Sequence, residues 1–295
     1  MATESNLASS DRIGEYRYVR TIAAGVHSRV LEVVQEATGR RFAVKELLDS
    51  KAQDPAERRI FEAEARLGME FSHPNLIRVL DFVKDKTAPY FVMDYFPSDH
   101  LKLVLSKRER ADWLKERLRR IVTQSAAALA YMHDRGWTHR DVKPENIIVN
   151  KSGEVRLIDF ALAKRIPSGL LKLFAGKPER EGTQSYMSPE QIRRESPSAA
   201  ADIYSFGCTC YELACGRPPF RANSTQELLT KHLREQPAPL TQHNPELTSE
   251  FSELVLQTLR KTPADRPASM HEFLSRLGRV RIYKDENPPK AASGL

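Results

Sequence analysis

The sequence predicts an α+β fold of two lobes, on three observations. Short runs rich in Val, Ile, Tyr and Phe fill the first third of the 295-residue chain, and the remainder turns to helical periodicity. A dense polar segment, His139 to Asn146, is then followed thirteen residues later by a second acid, Asp159. There are no internal repeats.

Residues 1–14 are polar and read as a disordered lead, with no apolar core for a secretory signal. Arg17–Ile22, Ser28–Gln35 and Arg41–Leu47 read as strands from their β-branched and aromatic content, with Thr38-Gly39 turning the second into the third. Asp54 is placed to cap a helix and Pro55 to open it, so a helix is expected from there to Met69. Strands near Ile77–Val83 and Tyr90–Tyr95 complete a five-stranded sheet with one main helix, a small lobe of about 15–95.

The larger lobe, about 97–278, is helical. Within Leu114–His133, the residues Ile121, Ser125, Ala128, Leu129 and Met132 fall on one face at helical spacing. Further helices fit Ala200–Cys215, Thr225–Arg234, Glu250–Lys261 and Met270–Leu277, and 279–295 reads as a polar, proline-containing tail.

Hydrophobic content of 40% with 29% charged residues is that of a soluble globular chain, and no apolar run approaches the ~20 residues of a membrane span. No membrane partner is expected, and the expected location is cytoplasmic. Of the net charge of +7, an excess of +5 lies between Lys102 and Arg120, where eight basic residues face three acidic ones. A solvated helical face and a docking patch both account for it; without interleaved aromatics, nucleic acid is not an expected partner. Cys208, Cys210 and Cys215 lack a fourth ligand at zinc spacing and read as buried small residues of one helix.

Three motifs carry the chemistry: His139-Arg140-Asp141-Val142-Lys143-Pro144-Glu145-Asn146 with Asp159-Phe160, the strand Phe42-Ala43-Val44-Lys45, and Gly182-Thr183-Gln184-Ser185-Tyr186-Met187-Ser188-Pro189-Glu190. On these residues the chain resembles the eukaryotic-type protein serine/threonine kinases of bacteria, over roughly residues 15–278. The resemblance implies a two-lobed kinase fold that uses ATP and Mg²⁺ to phosphorylate Ser/Thr hydroxyls of a protein substrate, with a second copy as partner for autophosphorylation. It makes Asp141 the base, Lys143 the neutraliser of phosphoryl charge, and Asn146 and Asp159 hard oxygen ligands for magnesium. Lys45 would anchor the phosphates, held by Glu64 on the helix; Glu62 is a neighbouring competitor for that pairing.

Adenine is expected against Val30, Ala43 and Ile148, with backbone bonds from Asp94 and Phe96 and Met93 gating the deeper pocket. The phosphate loop is expected along Ile22, Ala23, Ala24, Gly25, Val26, His27, Ser28 and Arg29. There the family's three glycines are reduced to Gly25, which implies altered cover of the phosphates. Ala161 and Gly68 also depart from the family, where a glycine and a larger apolar residue are usual. These departures suggest the alternative reading, an ATP-binding pseudokinase or scaffold. Asp202 is expected to accept backbone bonds from the catalytic loop, and Arg266 to pair with Glu190. Ser168 and Thr183 are expected autophosphorylation sites. Glu179 or Glu181 is expected to pair with Arg140 in place of a phosphate, and the run 169–174 to form a helix.

Overall fold

The computed structural model describes residues 12–85, 87–167 and 182–287. The chain divides after Pro97 into two compact units, each described by itself.

The first unit is a sheet with helices. Its strands are β1 (Arg12–Ile13), β2 (Tyr16–Ala24), β3 (Ser28–Gln35) and β4 (Arg41–Leu47); after α1 (Asp49–Ala52) and α2 (Pro55–Glu70) come β5 (Val79–Val83) and β6 (Tyr90–Asp94). All are antiparallel, in the order β1-β2-β3-β4-β6-β5. Period-2 alternation divides the side chains. Tyr16, Leu31, Val33, Phe42, Val44, Tyr90 and Val92 form a core on one face, while Val30, Lys45 and Phe91 lie in register on the other. There α2 packs, with the Phe61 ring 5.0 Å from that of Phe91.

The sheet has six strands where five were expected. Arg12 and Ile13 leave the expected disordered lead and pair with Arg17 and Tyr16. A two-residue strand is too short to show a period. Its turn needs Gly14, at φ +58°, where a Cβ would collide with the Tyr90 hydroxyl.

The second unit begins with β7 (Asp99–His100), α3 (Leu101–Ser106), α4 (Arg110–Asp134), β8 (Trp137–Thr138), β9 (Ile147–Val149), β10 (Val155–Leu157) and β11 (Lys164–Arg165). It continues with α5 (Pro189–Ile192), α6 (Ala199–Cys215), α7 (Thr225–Arg234), α8 (Leu240–His243), α9 (Ser249–Thr258) and α10 (Met270–Leu277). The expected stripe on α4 is buried, and α6 is buried on nearly every side. Cys208 and Cys210 are buried there; burial pushes all three thiols up, Cys215 to about 12, which disfavours the nucleophilic thiolate.

The described part of the expected polar tail is docked instead. Ile282 and Tyr283 are buried, Tyr283 bridges to Leu247, and Arg119 binds Glu286 as well as the Leu277 and Val280 carbonyls. Two apolar side chains in a polar run are a weak signal, and their partners are remote in sequence. The basic stretch from Lys102 to Arg120 is split between α3 and α4 and largely paired: Lys102 with Glu212, Lys107 with Asp99, Lys115 with Asp285, Arg119 with Glu286, and Arg120 with Glu154. Among the described residues, no helix is long and apolar enough to cross a membrane.

Candidate active site

In the first unit, the central strand β4 carries Lys45 and α2 carries Glu64. Asp54 caps α2 by accepting from Ala56 N, and Pro55 opens it, as the sequence suggested. Lys45 Nζ lies 2.6 and 2.8 Å from the two Glu64 carboxylate oxygens. Glu62 turns outward to Arg66 and Lys84. The Lys45–Glu64 pair is mostly buried, at 14% and 6% side-chain exposure, so desolvation offsets much of its Coulomb energy. What it secures is direction, an ammonium held to Glu64 and lying 5.8 Å from the centre of the Phe91 ring.

Ala43 pairs with Met93 and Phe42 with Asp94, which sets the end of β6 beside the Ala43 strand. The Asp94 N–H is taken by the Arg78 carbonyl at 3.1 Å, leaving the Asp94 carbonyl as the group it could offer a base. Ile22, Ala23 and Ala24 end β2, while Ser28, Arg29 and Val30 begin β3. The tip Gly25-Val26-His27 is closed by a 2.9 Å bond from Gly25 N to the Ser28 carbonyl. His27 Nδ1 lies 2.9 Å from Glu57 near the start of α2, a contact between the tip and the helix made by a side chain that stays largely exposed. Among the described residues, positive φ at non-glycine positions occurs only at Arg140, Asp159 and Arg194. Ala23, Ser28 and Ala161 thus hold ordinary backbone angles, and their Cβ atoms cause no backbone strain.

In the second unit, the segment from His139 to Asn146 runs from β8 through a 3₁₀ turn, Pro144–Asn146, into β9. The fully buried Asp202 carboxylate accepts from His139 N and Arg140 N, both at 2.8 Å, and from His133 Nε2 at 2.9 Å. Burial opposes its ionisation, but the bonds with His133 and the loop backbone hold its pKa below the ordinary carboxylate value. Arg140, at φ +67°, is fixed further by the Gln191 amide, which donates to its carbonyl at 2.9 Å. Gln191 also closes a capping box with Ser188 at the start of α5.

Asp141 is the hub. Its Oδ2 accepts from Lys143 Nζ at 2.6 Å and Asn146 Nδ2 at 3.0 Å. Its Oδ1 accepts from Thr183 N and Oγ1, both at 3.0 Å. Lys143 also donates to Thr183 Oγ1 at 2.7 Å, closing a ring of acid, lysine and hydroxyl. Gly182, at φ +110°, permits this approach; a Cβ there would meet the Arg140 carbonyl at 3.1 Å.

The β9–β10 hairpin brings Asn146 and Asp159 to one end. Ile147 pairs with Leu157, and the next link is Ile158 N to the Asn146 carbonyl at 2.9 Å, with Asp159 following at φ +67°. The Asn146 amide nitrogen is committed to the Asp141 carbonyl and carboxylate, which directs its Oδ1 the other way. An amide oxygen beside a carboxylate suits Mg²⁺, which takes few protein ligands and completes its shell with phosphates and water. Among the described residues there is no group of three or more His, Cys, Asp or Glu arranged to hold a metal. Ile148 occupies the middle of β9, paired with Arg156 and His100.

Arg266 and Glu190 pair in the core, at 2.6 and 2.9 Å with 0% and 3% exposure, as expected. His133 and Gln191 were not anticipated. The Ser188-x-x-Gln191 spacing held a capping signal, whereas nothing local to His133 points to Asp202, 69 residues away. The expectations for Ser168, Glu179, Glu181 and the run 169–174 fall outside the described residues.

A sheet unit bearing a buried Lys–Glu pair and a helical unit bearing this acid–lysine–amide loop define the protein kinase class. The protein kinase domain family matches residues 16–276, and the chain belongs to that family. Serine/threonine-protein kinase PknA of Mycobacterium tuberculosis is 34% identical over 282 residues, covering 94% of this chain and 63% of the relative. A probable serine/threonine-protein kinase of Streptomyces coelicolor is 33% identical over 265 residues, 88% of this chain and 39% of the relative. PknB of M. tuberculosis is 31% identical across 100% of this chain and 46% of its own length. The chain therefore spans less than two thirds of the length of these relatives.

Proposed function

We propose that this chain is a protein serine/threonine kinase that transfers the γ-phosphate of ATP to hydroxyls of protein substrates. The observation that carries the reading is the Asp141 carboxylate held by Lys143, Asn146 and Thr183. Asp141 would accept the hydrogen bond of the incoming hydroxyl and orient its oxygen, help worth about 10²–10⁴-fold. Lys143 is placed to move from the Thr183 hydroxyl onto the transferred group and offset its charge. Lys45, steadied by Glu64, would hold the phosphates in line. Asn146 and Asp159 would hold magnesium, which when bound supplies charge neutralisation between the phosphates. The combination of Lys143 with Thr183, and relatives whose names are those of serine/threonine kinases, support Ser/Thr acceptors.

The test is incubation with labelled ATP, magnesium and a generic protein substrate beside an Asp141→Asn control. Label on serine or threonine that is lost in the control is the expected result. Measurable ATP binding with no transfer would instead favour a nucleotide-binding scaffold.

A further inference from the structure

Glu32 is a carboxylate with 1% of its side chain exposed, in the middle of a β-strand, and it is fully engaged by partners. Arg20 Nε reaches it at 2.7 Å, Arg41 Nη1 at 2.6 Å and the Tyr95 hydroxyl at 3.0 Å. Arg20 Nη2 also reaches the Tyr95 oxygen at 3.3 Å, closing the network. The strand registers locate it. Arg20 pairs with Glu32, Glu32 with Ala43, and Ala43 with Met93, so these positions form one row across four strands. By the two-residue period, that row shares the sheet face of Val30 and Lys45, one step along. Tyr95 follows two residues after Met93, between Asp94 and Phe96.

We infer that Glu32, with Arg20 and Arg41, clamps Tyr95 to the sheet and thereby positions the Asp94–Phe96 backbone that receives the base of the nucleotide. The inference rests on the nucleotide site proposed above and adds residues to it. A buried carboxylate is costly unless fully paired, and an apolar residue would fill the same place with less loss. An apolar side chain, though, has no preferred direction, whereas a carboxylate that accepts from two guanidiniums and a phenol fixes the phenol in one place. Burial pushes the Glu32 pKa up, but the bonds from Tyr95, Arg20 and Arg41 leave it lowered overall, so the clamp is ionised at neutral pH. The two arginine side chains remain about three-fifths exposed, at 60% and 61%, so much of their hydration is kept. Tyr95, Glu32, Arg20 and Arg41 are positioning residues.

The experiment compares wild type with Tyr95→Phe, which removes one hydroxyl, and Glu32→Gln, which keeps the shape. Calorimetry gives the Kd for ATP and for adenosine, kinetics gives KM for ATP and kcat, and melting gives Tm. Both variants should weaken ATP and adenosine by the same factor, about tenfold, as for loss of a hydrogen bond to a charged group. KM for ATP should rise in step, with kcat within about twofold. Unchanged nucleotide affinity, whether or not Tm falls, overturns the clamp and leaves a structural network. A loss in kcat with KM unchanged overturns it too. If the wild type itself binds no ATP, the kinase reading fails, an outcome distinct from ATP binding that the variants leave intact.

Discussion

Asp141 and Lys45 are both charged groups of the proposed chemistry, but the two units hold them differently. Asp141 sits in a loop whose backbone is tied by the buried Asp202 and by Gln191, and its carboxylate receives four hydrogen bonds from Lys143, Asn146 and Thr183. Arg140 and Asp159, on either side of it in the chain, keep left-handed backbone angles that cost of order 1–3 kcal/mol each and persist only where the surroundings enforce them. Lys45 instead pairs across from a strand to a helix, and α2 carries the buried Gly68, at a cost of about 1 kcal/mol against alanine. The contrast teaches that the catalytic loop is set by interlocked short-range bonds, while the lysine is set by where α2 lies.

The sharpest way to break this comparison is Asp141→Asn against Glu64→Gln. Asp141→Asn should lower kcat by about 10²–10⁴-fold while ATP affinity stays near wild type. Glu64→Gln should lower kcat/KM by a smaller factor, about 10–100-fold, because Lys45 keeps its charge and loses its bearing. Steady-state kinetics with measured ATP binding separates the two. Equal losses would mean that both groups act as one unit.

Next in size is the anchor beneath the loop. Arg266→Ala leaves the Glu190 carboxylate unpaired in the core and should cost about 3–5 kcal/mol of stability, read by denaturant unfolding. The resemblance to the kinase family implied that pair, and likewise the Asp202 support of the loop; spacing alone did not. The long strands, α2 and the large helices were legible, because each is long enough to show its period. What was not legible came from short elements or from distant pairing. The strand Arg12–Ile13 is too short to alternate, the docking of Ile282 and Tyr283 depends on Leu247 and Arg119, and Glu32 reads locally as one surface carboxylate among many.

The helical unit's tighter hold should also be acid-labile, through His232. This histidine lies on α7 with Nδ1 3.0 Å from the Tyr204 hydroxyl, and burial pushes its pKa down to about 3. The unfolded chain, with a histidine pKa near 6.5, then binds the extra proton first. Stability is fully present above about pH 6.5 and falls as pH drops toward 3, by at most about 1.4 kcal/mol per pH unit. Melting curves of wild type and His232→Gln at pH 7 and pH 5 check this. The wild type should lose more Tm over that interval than the variant.

The smallest effect expected is at the phosphate loop, where the comparison turns on backbone angles. The Asp141 site holds two left-handed residues, Arg140 within its loop and Asp159 after β10; the tip at Gly25 holds none, since Gly25 lacks a positive φ and an added Cβ would rest 3.4 Å from the Ser28 carbonyl, an ordinary contact. Gly25→Ala should therefore leave Tm unchanged or raise it slightly, by the about 0.4–1 kcal/mol that a compatible Gly→Ala change gains from the unfolded chain. The added methyl would still stand where phosphate oxygens approach the backbone, so KM for ATP should rise about two- to threefold with kcat retained. A clear drop in Tm would show that the tip depends on glycine's freedom, and the two loops would then be alike in the property by which they are distinguished here.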